Sequence, residues 1–303
     1  MLVGGLGDLV GERHWLTTLF AYAPMFPLCL PLLLLLPLAL LVRDRRAMGL
    51  VALSVLLMPW LLGFVGWRRG AGAKEPIRLS VLTYNIRHGD LGPEKIAAAL
   101  RTEGADVVCL QEVSGFQKSP DPLPILRKAL PGWSIERRGE VAIASRQPLV
   151  DVRVISYGIP ELGRVALSAR VKGVRVVCAH LATGLTTETI GTRRGNLPTY
   201  LAKTAAIREA QVRVLLDTIA SEPGPVVLCG DFNTPPRGAL YHTLQGTLTD
   251  SFAATGSGLG YSFRLNRLAA WRIDYIWARG LTPTSATVLP WRVSDHKPLR
   301  VTF

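Results

Sequence analysis

The sequence predicts an α/β domain with layered β-sheets, preceded by an N-terminal transmembrane helical hairpin. Three observations lead there. Two long uncharged apolar runs open the chain. Short Val/Ile-rich runs alternate with helical patterns through the remainder. Several of those short runs end abruptly in carboxylate, amide or imidazole side chains.

The apolar runs come first. Of the 303 residues 49% are hydrophobic and 19% charged, with a mean hydropathy of +0.26. This excludes a disordered chain, and the charge falls below the roughly 25% usual in soluble domains. Trp15 to Val42 holds 28 residues without Asp, Glu, Lys or Arg, and Ala47 to Trp67 holds 21. A bilayer core of about 30 Å needs roughly 20 apolar helical residues. Two transmembrane helices are therefore expected, at about 15–42 and 47–67, which makes residues 1–70 a membrane region and the chain a multi-pass protein of the cell membrane. The competing reading is a pair of buried helices. A cleaved signal peptide fits less well, because the first run is long and follows Asp8 and Glu12. Pro24, Pro27, Pro31 and Pro37 predict kinks. The arginines of Arg43-Asp44-Arg45-Arg46 pull against Arg13, Arg68, Arg69 and Lys74 under the positive-inside rule, so the membrane side of the C-terminal part is undetermined.

A small-residue linker at 71–76 leads to a domain over 77–303. From position 76 the chain carries 28 basic and 18 acidic residues, an excess that favours a polyanionic partner. Strands are predicted at Arg78–Tyr84, Asp106–Leu110, Val141–Ala144, Arg164–Val171, Val174–His180, Val226–Cys229, Ile273–Trp277 and Val301–Phe303. Pro93–Leu100 starts after a turn and is Ala-rich, and Thr199–Ala220 places its apolar residues near a 3.6 period, so both read as helices. Cys29, Cys109, Cys178 and Cys229 lie in apolar runs without metal spacing, and are expected as buried thiols. His14, His88 and His242 read as incidental.

The strand ends carry the chemistry. Tyr84 leads to Asn85, Leu110 to Gln111-Glu112, Ala179 to His180, Gly230 to Asp231-Phe232-Asn233, Ile273 to Asp274, and Ser294 to Asp295-His296. One polar strand end is commonly a turn, but six rich in carboxylate, amide and imidazole build a site from distant segments. The chemistry that fits is metal-assisted phosphate ester hydrolysis, which needs a hard cation, a base for water and donors for developing charge. Mg²⁺ takes one or two carboxylates plus water and substrate oxygens, and Glu112 can supply the first.

The motifs TYNIRHG, LQEV, AHL, GDFNTPP, RIDYI and SDHKPL, in this order from about Leu79 to the C-terminus, resemble those of the endonuclease/exonuclease/phosphatase superfamily. The resemblance implies a four-layer sandwich of two mixed sheets with helices outside. It implies Asn85 and Glu112 at a metal site, with Asp295 as a second acidic group there. It makes His180 a phosphate contact, Asp231 the partner of the attacking water, Asn233 a transition-state donor and Asp274 the partner of His296. Which of Asp231 and His296 is the base stays open. The cofactor implied is Mg²⁺, with Mn²⁺ as substitute. Arg87, Arg193, Arg194 and Lys297 are candidate substrate contacts, joined by Lys203 and Arg208. The expected activity is phosphodiester hydrolysis of nuclease type, on a nucleic acid or phospholipid head group, with no protein partner implied. Lipid or inositol phosphate hydrolysis is the alternative. An inactive membrane-bound module that binds polyanions is a third, which the complete residue set argues against.

Overall fold

The Val/Ile-rich runs pair into two six-stranded sheets in the structure, a computed structural model that describes residues 15–22, 35, 37–61, 78–116, 119–184, 196–236, 238–265 and 268–303. In chain order the strands are β1 (Ser80–Asn85), β2 (Val107–Gln111), β3 (Ser134–Arg138), β4 (Val141–Ser145), β5 (Val150–Ser156), β6 (Val165–Val171) and β7 (Val174–His180). They continue with β8 (Val226–Asp231), β9 (Thr249–Asp250), β10 (Phe263–Leu265), β11 (Leu268–Trp271), β12 (Asp274–Arg279), β13 (Ser285–Val288) and β14 (Leu299–Thr302). The helices are α1 (Trp15–Tyr22), α2 (Arg45–Leu61), α3 (Pro93–Glu103), α4 (Leu123–Ala129), α5 (Leu197–Ala220), α6 (Ala239–Gln245) and α7 (Ser251–Thr255).

The first sheet runs β13-β14-β1-β2-β4-β3 and the second β5-β6-β7-β8-β12-β9. Each is antiparallel except at one parallel pair, β1 with β2 and β7 with β8. A parallel pair needs a crossover, and α3 and α5 supply the two. Pro93 opens α3 in the first helical turn, and Gly104 closes it in the left-handed region at φ 73°.

Alternation along the strands decides the layering. Val81, Val107, Cys109 and Ile143 of the first sheet face Leu167, Val176, Cys178, Val227, Cys229 and Ile276 of the second in one buried cluster. The intervening Leu82, Tyr84, Val108 and Leu110 pack outward on α3 and α4. On the other side Val177, Leu228, Tyr275 and Trp277 pack outward on α5 and α6. The result is two mixed sheets with helices outside. Cys109, Cys178 and Cys229 are free and buried between the sheets; Cys29 lies outside the described residues.

The transmembrane expectation is corrected. Among the described residues no helix is long and apolar enough to cross a membrane. Over the first run the described residues form the 8 residues of α1 and a further helical stretch at 37–42, which ends at Arg43 with φ 52°, in the expected loop before α2. The 17 described residues of α2 make about 26 Å at 1.5 Å per residue. Nor does α1 stand apart: it packs on α5, and Tyr22 is 6% exposed, with its carbonyl accepting from Trp271 Nε1 at 2.8 Å. The hairpin, the multi-pass localisation and the membrane as a partner therefore have no support in the described helices.

One glycine holds the second sheet in register beside the site. Gly230 has φ 149°, and an ideal Cβ there would lie 1.8 Å from the Ala179 carbonyl oxygen on the neighbouring strand. Gly230→Ala should separate β7 from β8 at this point and displace Asp231, lowering both the unfolding midpoint and any activity. Paired thermal unfolding and activity measurements check it.

Candidate active site

The alternation that builds the core also builds the site. Asn85 shares the inward face of β1 with Val81, Gln111 that of β2 with Cys109, His180 that of β7 with Cys178, and Asp231 that of β8 with Cys229. Asp274 shares that of β12 with Ile276. The parallel pairs bring their C-terminal ends to one rim, and β12, antiparallel to β8, starts there with Asp274 opposite Asp231. His180 and Asp231 are also direct register partners. The inward row thus changes from aliphatic and thiol to polar at its last position.

Asp231 lies at the centre. Its Oδ2 accepts from Asn85 Nδ2 at 3.0 Å, a bond across the two sheets, and is 3.7 Å from both His180 Nε2 and His296 Nε2. Each imidazole has a second carboxylate behind it. His296 Nδ1 is 2.8 Å from Asp274 Oδ2, and His180 Nδ1 is 3.0 Å from Glu140 Oε1. The result is one row of alternating groups, Glu140–His180–Asp231–His296–Asp274. All but Glu140 are at most 5% exposed.

Charges in this row shift one another. Burial opposes a charge on His296, but Asp274 and Asp231 outweigh it and push the imidazole up to about 10. Burial, together with Asp274, raises the Asp231 carboxyl, against the opposing pull of the two histidines and Asn85. Burial also works to raise Glu140, yet His180 and then Arg164, at 2.7 Å, hold it down at about 2.

Local sequence explains the placements. In GDFN, Gly230 permits the close strand approach, Asp231 points inward, and Phe232 buries outward against Tyr275 and Trp277. Asn233 then turns at φ 48°, its N–H donating to Asp231 Oδ1 at 2.9 Å and its amide to the Leu181 carbonyl at 3.1 Å. In SDH, the Ser294 hydroxyl donates to the Asn85 carbonyl at 2.9 Å and accepts from His296 N–H at 3.2 Å. That pins the segment before β14 to the end of β1.

Glu112 stands at the mouth. Its φ of 57° turns it out of the strand, so that Oε1 accepts from Asn85 Nδ2 at 2.9 Å while its side chain stays 24% exposed. Asp295 lies on the same side, 3.8 Å from Arg87 Nε. Two groupings offer oxygen ligands for a metal. Asp231, Asp274 and His296 place ligand atoms within 4.8 Å of one another. That trio already holds a cation, the imidazolium of His296 between two carboxylates. Glu112 offers a hard oxygen at the solvent side, which suits a divalent ion that keeps several waters, while Asn85 donates its amide N–H to that carboxylate and turns Oδ1 to the Arg87 N–H at 3.0 Å.

Most expected site residues therefore converge: Asn85, Glu112, His180, Asp231, Asn233, Asp274 and His296. Arg87 is half exposed beside Asp295. Lys297 lines a side cavity of about 320 Å³ with Phe252, Tyr261 and Thr287; burial and then Arg264 and Arg292 lower its pKa. Lys203 is exposed on α5. Arg208 is fully buried, over the Tyr22 ring at 5.8 Å, and so does not face solvent as a phosphate grip. Arg193 and Arg194 lie outside the described residues. Two contributors were not read from the sequence. Glu140 sits in the turn between β3 and β4, where an acid is ordinary. His88, which the sequence reads as incidental, places Nε2 3.3 Å from Glu112 Oε2, and its place within TYNIRHG is the available signal.

Two carboxylate-backed imidazoles around a buried acid, with hard oxygen ligands at the mouth, suit metal-assisted hydrolysis of phosphate esters. The chain belongs to the Endonuclease/Exonuclease/phosphatase family, whose model matches residues 82–296. Members of that family are metal-dependent phosphoester hydrolases. A UPF0294 protein of Yersinia pseudotuberculosis is 41% identical over 93 residues, 29% of this chain, and the match spans about a third (32%) of that relative's length. The Escherichia coli protein YbhP is 28% identical over 264 residues, covering 74% of this chain and 96% of its own. The structure of a 3′-5′ exonuclease from Neisseria meningitidis superposes with a TM-score of 0.57 at 21% identity, over 74% of this chain and 99% of that one. At that identity the likeness is one of fold.

The Glu140 shift has a pH consequence. A carboxyl held at about 2 contributes stability that is complete above its ordinary value of 4.5 and is lost as pH falls through about 2. The stability gap between wild type and Glu140→Gln should therefore close on acidification across that window, as read by urea unfolding at a series of pH values.

Proposed function

We propose that the protein is a Mg²⁺-dependent phosphodiesterase of nuclease type. The observation that carries this reading is the row of groups around Asp231, joined at its centre through the Asn85 amide to Glu112. Glu112, with Asn85 and Asp295, would hold the ion, which supplies charge neutralisation at the phosphate and a polarised water.

The remaining chemistry belongs to side chains. His296 is held charged by Asp274, so its Nε2–H acts as a donor toward a phosphate oxygen and not as a base. Asp231 is then the proton acceptor for the attacking water. Burial makes it a stronger base than an exposed aspartate, and the Asn85 amide fixes its Oδ2. His180, oriented by Glu140, presents Nε2 on the other side of the same carboxylate, where it contacts a second phosphate oxygen. Asn233, beside Asp231 in the left-handed turn, serves the developing charge. A nucleic acid substrate is supported by the basic excess beyond position 76, by exposed Arg87 at the mouth, and by the fold shared with the Neisseria exonuclease.

The test is a side-by-side assay of the full chain with Mg²⁺ on plasmid DNA, RNA, sphingomyelin and phosphoinositides. Turnover of DNA or RNA, abolished by excess chelator, is expected. Turnover confined to the lipids would replace the nuclease reading with a lipid phosphoesterase, and full activity in chelator would overturn the metal mechanism. Asp231→Ala and His296→Ala should each lower kcat by about 10²- to 10⁴-fold. Near wild-type rates in both would place the chemistry elsewhere.

A further inference from the structure

Beside the Glu112 mouth the structure holds a feature that the hydrolytic chemistry does not use. Phe116 is 56% exposed, and of the large hydrophobic side chains exposed beyond residue 78 among the described residues it is the aromatic one. Water does not favour such a ring, and described contacts hold it on the sides of Ser119 and His88. Phe116 and Ser119 exchange backbone hydrogen bonds of 3.1 and 2.8 Å, and the Ser119 hydroxyl donates to Asp90. A Cβ at Gly115 would come within 3.1 Å of the Ser119 carbonyl, so the two sides of the connection approach closely there.

One face of the Phe116 ring lies on His88, with centroids 4.9 Å apart and planes within 18°. His88 is itself clamped. Its Nδ1 is 2.8 Å from the Ser114 carbonyl, its Nε2 faces Glu112, and its N–H donates to the Glu112 carbonyl at 3.1 Å. Arg87 and His88 both adopt positive φ to reach this position. Two nearly parallel rings thus form a short stack that begins at the metal-site carboxylate and ends in an open aromatic face. Arg87, half exposed, stands next in the chain.

We infer that Phe116, backed by His88, is a stacking platform for an unpaired nucleobase flanking the scissile phosphate. The inference rests on the phosphodiesterase reading and adds its substrate specificity. A parallel stack matches a planar ring better than it matches an acyl chain, and the adjoining Arg87 and the basic excess of the domain match the strand's phosphates. Stacking on an exposed aromatic is tolerant of sequence, because every base has a π-face. The platform therefore selects for the presence of a base and not for its identity.

The experiment compares short single-stranded DNA with the same strand lacking the base beside the cleaved phosphate. Wild type should show a KM about tenfold lower for the strand with the base. Phe116→Ala should erase that difference while keeping kcat, and Phe116→Tyr should restore it. A merely structural role would change both substrates alike, and that result, or no discrimination by wild type, would overturn the inference. So would a loss confined to phospholipid substrates, which would assign the ring to lipid. Binding separates this question from turnover. In Phe116→Trp, oligonucleotide should quench fluorescence beyond the wild-type change, and less so for the strand lacking the base. Quenching without hydrolysis of any phosphate ester would retain the platform and reject the hydrolase reading; absence of quenching alongside hydrolysis would do the reverse.

Discussion

Burying the Asp231 carboxylate sets the terms for everything around it. A charge taken out of water must be met by donors or opposite charge, or it is neutralised by a proton. Here the donors come from both sheets. Asn85 reaches across from the first sheet, and two imidazoles stand at equal distances of 3.7 Å. Each imidazole needs its own acid to stay in place, which brings in Asp274 and Glu140. The row ends where Arg164 takes up Glu140. The second sheet, the end of β1 and the segment before β14 are thus committed to satisfying one group.

This arrangement lets one acid shift both His296 and Asp231, which are ionisable and adjacent. Asp274 lies directly against His296 and stabilises its charge, while the same acid, 22 residues away in sequence from His296, disfavours a second negative charge on Asp231. One carboxylate therefore pushes both neighbours toward the protonated form, by attraction in one case and repulsion in the other. Burial opposes the first effect and reinforces the second.

Much of this was legible in the sequence, because the reactive groups sit at strand ends and strand alternation is a local pattern. The period of two that makes Val81 and Val227 core residues also points Asn85 and Asp231 into the site. Residues placed by tertiary contact were not legible. Glu140 comes from a turn, and only the packing of β4 beside β6 and β7 brings it to His180. Strand β5 is an edge with a mostly exposed pattern, and β13 is short, so neither carried a clear apolar signal. The N-terminal runs were misread for a physical reason. Hydropathy reports transfer preference and not what a segment packs against, so it missed the seating of Tyr22 on the domain. Arg208 shows the converse error: a charge in a helical pattern was taken for a surface group, yet the helix turns it inward.

The two parallel strand pairs divide the molecule into a chassis and a set of attachments. Asn85, His180, Asp231 and Asp274 are fixed to the ends of paired strands, so their spacing is inherited from the hydrogen-bond ladder itself. Phe116 and Arg87 belong instead to connections outside that ladder. Such a plan lets residues of the connections change while the spacing of the paired termini stays as it was. A substitution at Phe116 or Arg87 leaves the ladder intact, whereas one at Gly230 moves Asp231 itself.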